Sequence, residues 1–193
     1  MNFDELGGRL RSIYEEYDRQ ASAFVANAAC SKGCALCCTD VGNIDITTLE
    51  GLFLLKQLDT LEAEVRSGIR QGLLRNKAER ERGLLSRCPF LSDEQLCLVY
   101  EVRPFSCRQL YSLARCSGGP PTVHRGALDL ARRTVMRIQD LDAMGYSGHL
   151  SYILHLLHGK GFRRQYLRGR SDPSTIAIFG RSHGIAINRF RRP

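Results

Sequence analysis

The eight cysteines of this chain fall into two groups, and that grouping limits its fold more than any other feature. Cys30, Cys34, Cys37 and Cys38 lie within nine residues, while Cys88, Cys97, Cys107 and Cys116 spread evenly over 29 residues. A lone cysteine is usually a small buried hydrophobe, but four in so short a run exceed what core packing needs. Thiolate-rich sites select zinc or iron–sulfur clusters over hard cations. The second group is spaced too widely for a self-contained zinc knuckle, so it is expected to fold back over the first, with Pro89 and Pro104 stiffening the return. Eight thiols suit two four-ligand sites, or one site with thiols to spare.

If Cys34, Cys37 and Cys38 share a helix, three thiols lie on one face. Adjacent Cys37 and Cys38 still point about 100° apart, so both are not expected on one zinc ion. One of them would serve a second metal or a different iron of a cluster.

The N-terminus, MNFDELGG, is acidic where a signal peptide is basic, and no apolar segment follows it. The longest apolar run, near residues 51–55, is far shorter than the ~20 residues of a membrane span. The expected compartment is the cytoplasm, where thiols stay reduced and metal ligation is expected over disulfides. Apolar content of 43% and charged content of 25% exclude a disordered chain, a collagen and a coiled-coil rod. A length of 193 residues suits one domain with a real core.

Hydrophobic spacing through Leu6, Leu10, Ile13, Tyr14, Tyr17, Ala21, Phe24 and Val25 predicts an amphipathic helix over 4–27, with Gly7 and Gly8 blurring its start. Thr47 or Asp45 is expected to cap a second helix ending at Leu58, with Glu50 closing a capping box behind Thr47. A third helix is expected over 60–84, with Leu61, Val65, Ile69, Leu73 and Leu74 as its buried stripe and Gly68 and Gly72 weakening it. From Arg87 to Cys116 the pattern changes to two short extended pieces around a turn, then a short helix starting near Pro104 and carrying Cys107 and Arg108. Helical spacing resumes over 126–158, split between Gly145 and Gly148. Residues 176–179 and 185–188 alternate around a Gly-bounded loop and predict a C-terminal β-hairpin. The expected fold is mainly α: a single helical domain with an irregular Cys-rich metal-binding insert, over residues 1–159. A basic extension follows over 160–193.

All of the net charge of +8 belongs to that extension, which holds nine basic residues and one acid, whereas residues 1–159 balance 19 against 19. Arg163, Arg164, Arg168 and Arg170 are its candidates for an anionic partner, nucleic acid or an acidic protein surface.

The run Cys30-x3-Cys34-x2-Cys37-Cys38, then Cys88-Pro89-Phe90-Leu91, then Cys97-Leu98-Val99-Tyr100-Glu101-Val102-Arg103-Pro104-x2-Cys107-Arg108 resembles the YkgJ-type cysteine-cluster proteins, described as zinc- or iron-chelating domain proteins. The resemblance spans roughly residues 30–116 and implies a metal-ligand role for the eight cysteines, Cys116 lying beyond the Cys-Arg signature. A related cysteine cluster in flagellin lysine methylases looks to hold an iron–sulfur cluster. Metal-bound thiolates are anionic, so Arg103 and Arg108 are expected to offset that charge and donate to sulfur, with Glu101 orienting one of them.

These features predict a protein that holds an iron–sulfur cluster, [4Fe-4S], or zinc, and works with a protein partner as an accessory, electron-transfer or maturation factor. Two alternatives accompany it. Cys30-x3-Cys34-x2-Cys37 also resembles the radical S-adenosylmethionine signature, implying a redox enzyme with an open cluster, although strands for a barrel are lacking. A zinc-stabilised module could instead bind nucleic acid through the basic C-terminus. No GxxxxGK[ST], HExxH or GxSxG run occurs. His149, His155 and His158 fall in one segment; His155 and His158, three apart, could bind a metal but such histidines read more often as helix-surface residues, and His124 and His183 carry no signal.

Overall fold

A computed structural model describes residues 2–39, 44–116, 119–170 and 178. Among them lie eight α-helices and one small antiparallel sheet, the mainly helical fold expected. The first helix, α1 (Phe3–Val25), is capped by Asn2, whose side chain accepts from Glu5 N. Gly7 and Gly8 lie inside it. Gly7 is tolerated because the Phe53 ring fills the space a Cβ would take.

After a loop come α2 (Leu36–Thr39), the strand β1 (Asp45–Thr47) and α3 (Thr48–Leu58). The start of α3 is the expected capping box: Thr47 accepts from Glu50 N, and the Glu50 carboxylate accepts from Thr47 N at 2.8 Å. The next helix, α4 (Ala63–Glu81), differs from expectation in its buried stripe. Ile69 and Leu73 are buried, but Leu74 is 56% exposed, and the third buried position is Asn76. The polar side chain goes inside because it has a task there. Its Nδ2 donates to Arg87 O and holds the chain just before Cys88. Gly72 also has a positional reason, since a Cβ there would lie 3.1 Å from Pro89 Cβ.

The Cys-rich stretch is irregular, as expected. A single antiparallel bridge joins Leu91 to Cys97 across the turn, and Pro104 precedes α5 (Phe105–Arg108). The expected long helical stretch is indeed divided, into α6 (Arg125–Leu141) and α7 (Leu150–His158). Between them runs β2 (Ser147–His149), which pairs with β1 in the register Asp45↔His149, Ile46↔Gly148, Thr47↔Ser147. Strands of three residues are too short to leave an alternation in the sequence, so the spacing rules do not reveal this sheet. The last described helix is α8 (Lys160–Leu167).

The core has two parts. Leu10, Ile13, Tyr14, Tyr17 and Ala21 of α1 pack on Leu130, Ala131 and Ile138 of α6, with Leu49 and Phe105 between them. The larger part gathers α3, α4 and α7 through Leu54, Leu73, Ile153, Leu154 and Leu157, together with Phe90, Val99 and Tyr166. Cys88, Cys97 and Cys107 pack against this second part, which carries the returning Cys-rich stretch. The hairpin expected over 176–179 and 185–188 falls, apart from Ile178, outside the described residues. No described helix is long and apolar enough to cross a membrane.

Candidate metal centre

The first cysteine group is set mainly by loop rather than by one helix. Only Cys37 and Cys38 belong to α2, while Cys34 precedes it, with its N–H donating to Ser31 O at 3.0 Å. Gly33 has a φ of +87°, a left-handed conformation that suits glycine and ends any helix running back to Cys30. The three-thiol helical face expected of Cys34, Cys37 and Cys38 is therefore replaced by a tight turn. Cys30 and Cys34 are exposed, whereas the other six cysteines are part-buried; all eight are free thiols.

The second group returns in two places. One is deep: Cys88 N donates to Cys38 O at 2.7 Å, the Leu91–Cys97 bridge brings Cys97 alongside, and Cys107 arrives on α5. A buried carboxylate fixes α5. Glu50 Oε1 accepts from Phe105 N at 2.7 Å and from Tyr14 OH at 2.6 Å, tying the first turn of α5 to α1 and α3. The other place is shallow. Ala29 N donates to Ser112 O at 2.7 Å, and Ser112 N donates to the Cys30 sulfur at 3.3 Å. Ser112 Oγ also accepts from Thr122 N, so the segment leading to Cys116 is held over the Cys30 loop.

The electrostatics follow these two places. Burial pushes the Cys37 thiol up to about 11, with the Cys30, Cys116, Cys38 and Cys34 thiols adding to the rise in that order. Burial raises Cys38 too, with Cys97 and then Cys34 contributing, while Arg87 lowers it. Cys88 is pushed up to about 12 by burial, opposed by a backbone hydrogen bond from Phe90 and raised further by Cys38 and Cys97. Cys107 is raised well above its ordinary value by burial and then by Cys88, Cys38 and Cys97. Cys97 is raised by burial against a backbone hydrogen bond and Arg103. These thiols stay protonated at neutral pH, and a soft cation would have to displace their protons on binding. Among the described residues no three His, Cys, Asp or Glu side chains stand ready-made around a metal position, so these are neighbourhoods of thiols and not finished coordination shells.

The matched arginines separate in role. Arg103 stacks over the Tyr100 ring at 4.0 Å, its charge lowers Cys97 and Cys107, and its Nε is buried without a hydrogen-bond partner. A buried N–H donor on a guanidinium whose charge acts on two thiols fits an anionic metal–thiolate group, which would offer it an acceptor. Arg108 instead donates to Glu101 O at 3.0 Å and Arg103 O at 3.2 Å, lies over the Tyr14 ring and pairs with Asp18 at 3.5 Å. Glu101 thus holds Arg108 through its carbonyl, and both brace the turn that carries Arg103.

Sequence reading missed two histidine caps. His149 is buried, and its Nδ1 accepts from Ser151 N at the start of α7, so it is not a surface residue. His124 caps α6 by accepting from Gly126 N at 3.0 Å. His155 and His158 are exposed, as expected. On α8 and just beyond it, Arg163 is half-buried, while Arg164, Arg168 and Arg170 are exposed and lie apart from the cysteines in sequence.

Residues 29–122 match the family model CxxCxxCC, described as "Putative zinc- or iron-chelating domain". No curated protein and no solved structure matches the chain.

Proposed function

We propose, on the match of residues 29–122 to the CxxCxxCC family model, that this chain holds an iron–sulfur cluster on its cysteine thiolates and acts through a protein partner, as an accessory, electron-transfer or maturation factor. The residues that would hold it are Cys30, Cys34, Cys37, Cys38, Cys88, Cys97, Cys107 and Cys116. Bound there, a cluster would supply one-electron exchange.

The observation that carries this reading is the gathering of Cys38, Cys88, Cys97 and Cys107 from four separate segments, with Arg103, whose Nε is buried without a hydrogen-bond partner, acting on Cys97 and Cys107. Core packing alone does not need thiols from four segments with an unpaired guanidinium donor acting on two of them. The chain's own residues do the positioning: Glu50 anchors α5, Asn76 holds Arg87, and Arg108 braces the 100–103 turn. Part-burial of these thiols limits water access, which slows loss of a bound cluster.

The test is anaerobic purification with a visible spectrum and counts of iron, zinc and acid-labile sulfide on one sample. A brown protein with matched iron and sulfide is the expected result. A colourless protein with stoichiometric zinc and no sulfide would replace the cluster with a zinc centre. In that case the exposed Arg164, Arg168 and Arg170 favour a second reading, a zinc-stabilised module that binds nucleic acid in a salt-dependent way.

A further inference from the structure

The eight thiols do not form one neighbourhood. Cys88, Cys97 and Cys107 pack against the larger core cluster, and Cys38 is joined to them by the Cys88 N to Cys38 O hydrogen bond, with the Leu91–Cys97 bridge bringing Cys97 alongside. Cys30, Cys34 and Cys37 lie on the outer loop and the start of α2. The Cys116 segment is laid over that loop by the Ala29–Ser112 and Ser112–Cys30 hydrogen bonds. The pattern of mutual influence is consistent with this division: Cys107 feels Cys88, Cys38 and Cys97, while Cys116 acts on Cys37. Cys34 acts on both Cys37 and Cys38, so the two neighbourhoods adjoin.

We propose that the chain carries two separate four-thiolate sites, an outer one of Cys30, Cys34, Cys37 and Cys116 and an inner one of Cys38, Cys88, Cys97 and Cys107. The boundary falls between the adjacent residues Cys37 and Cys38, whose side chains on α2 leave the helix about 100° apart and can face different centres. This deepens the metal-binding reading above and rests on it.

The two sites differ in exposure, and so in behaviour. A divalent ion or a [4Fe-4S]²⁺ core with four thiolates is a dianion. At the inner site two guanidinium groups stand against it: Arg87 acts on Cys38 and Cys88, and Arg103 on Cys97 and Cys107. Arg87 also pairs with Asp93 at 3.8 Å, so its charge is shared, but the inner site is packed on the core and holds its occupant as part of the fold. At the outer site Cys30 and Cys34 are exposed to solvent. That site exchanges its occupant with solution, and it is the one a partner protein can reach.

The experiment counts iron, zinc and sulfide per chain in the anaerobically purified full-length protein and in Cys→Ser variants. Cys30→Ser, Cys116→Ser and the double variant Cys30→Ser/Cys116→Ser are each expected to lose the same half of the content. Cys97→Ser is expected to lose the other half, and Cys30→Ser/Cys97→Ser to lose all of it. The sulfide count tells zinc from clusters without affecting the partition. With EDTA, the wild type is expected to release its content in a fast and a slow phase, and the Cys30→Ser/Cys116→Ser variant to show the slow phase alone. Should Cys97→Ser not fold, that chelation pair decides. Complete loss in Cys30→Ser, or a single release phase in the wild type, overturns the partition while leaving metal binding intact. A wild type without metal overturns the metal-binding reading itself.

Discussion

The Asp142 carboxylate accepts from Leu49 N at 2.8 Å and from Tyr166 OH at 2.5 Å, in space that Gly145 leaves open by lacking a Cβ. Burial pushes its pKa up from 3.8 to about 7, against those hydrogen bonds and with help from Glu50. Because the folded value is the higher one, the protonated form favours the fold. The stability it contributes is full below about pH 4 and is lost as pH rises through about 7. Asp142→Asn keeps an acceptor oxygen and removes the titration. Each pH unit separating the folded and unfolded values corresponds to ~1.4 kcal/mol. The stability of the wild type relative to this variant is therefore expected to fall by a few kcal/mol between about pH 4 and pH 8. Urea unfolding across that range checks it, and a constant difference would refute it. At this scale the sequence was half legible. The Thr47–Glu50 box could be read from spacing, because its partners are local. The second use of Glu50, accepting from Tyr14 and Phe105, joins residues 36 and 55 positions away and leaves no local signal. The same holds for Asp142, whose partners Leu49 and Tyr166 lie 93 and 24 positions away, whereas the His149 cap is local and escaped notice because histidine is not among the usual capping residues.

Helices were legible wherever one face is buried over several turns, as in α1 and α6. The spacing does not reveal which helix glycines have a packing reason. Gly51 of α3 faces α7, and a Cβ there would lie 2.7 Å from Leu157 Cδ1 and 3.2 Å from Ile153 Cγ2. Gly51→Ala is expected to lower stability by about 1–2 kcal/mol through overpacking. Gly68 of α4 has nothing within 4 Å of its added Cβ, and Gly68→Ala is expected to raise stability by about 0.5–1 kcal/mol through helix propensity alone. Thermal melts of the two variants should move in opposite directions. A rise in both would show that the α3–α7 contact yields freely, and a fall in both would refute the gain expected at Gly68. The missing helix through Cys34 has a local cause too. Gly33 takes a left-handed φ, and a single residue of that kind decides whether three thiols share a helical face.

For the molecule as a whole, charge and fold divide at different points. The surplus of positive charge begins at Lys160, yet Tyr166 is fully buried and donates to Asp142, so α8 is seated on the core. Deleting 168–193 is expected to leave metal content and melting temperature unchanged. Deleting 160–193 is expected to cost about 3–5 kcal/mol, the usual penalty for emptying a large aromatic site. Metal analysis and melting of both truncations check this, and loss of metal in the shorter deletion would tie the far C-terminus to the thiol region. Sequence alone marked the cysteines and the return of the second group. How the thiols sort themselves depends on hydrogen bonds such as Cys88 N to Cys38 O, between residues 50 positions apart, and no spacing rule encodes that.

That same hydrogen bond makes everything between Cys38 and Cys88 a closed excursion of the chain, out through α3 and α4 and back. The entropy lost in closing a loop grows only with the logarithm of its length, so doubling the excursion would add ~0.6 kcal/mol. A ligand gripping both ends would act as a cross-link whose strength is nearly indifferent to what is strung between them. Extra residues at the exposed Asp59–Thr60 turn should therefore be nearly free for the cross-link, and the contour of the excursion can change while its two ends stay fastened.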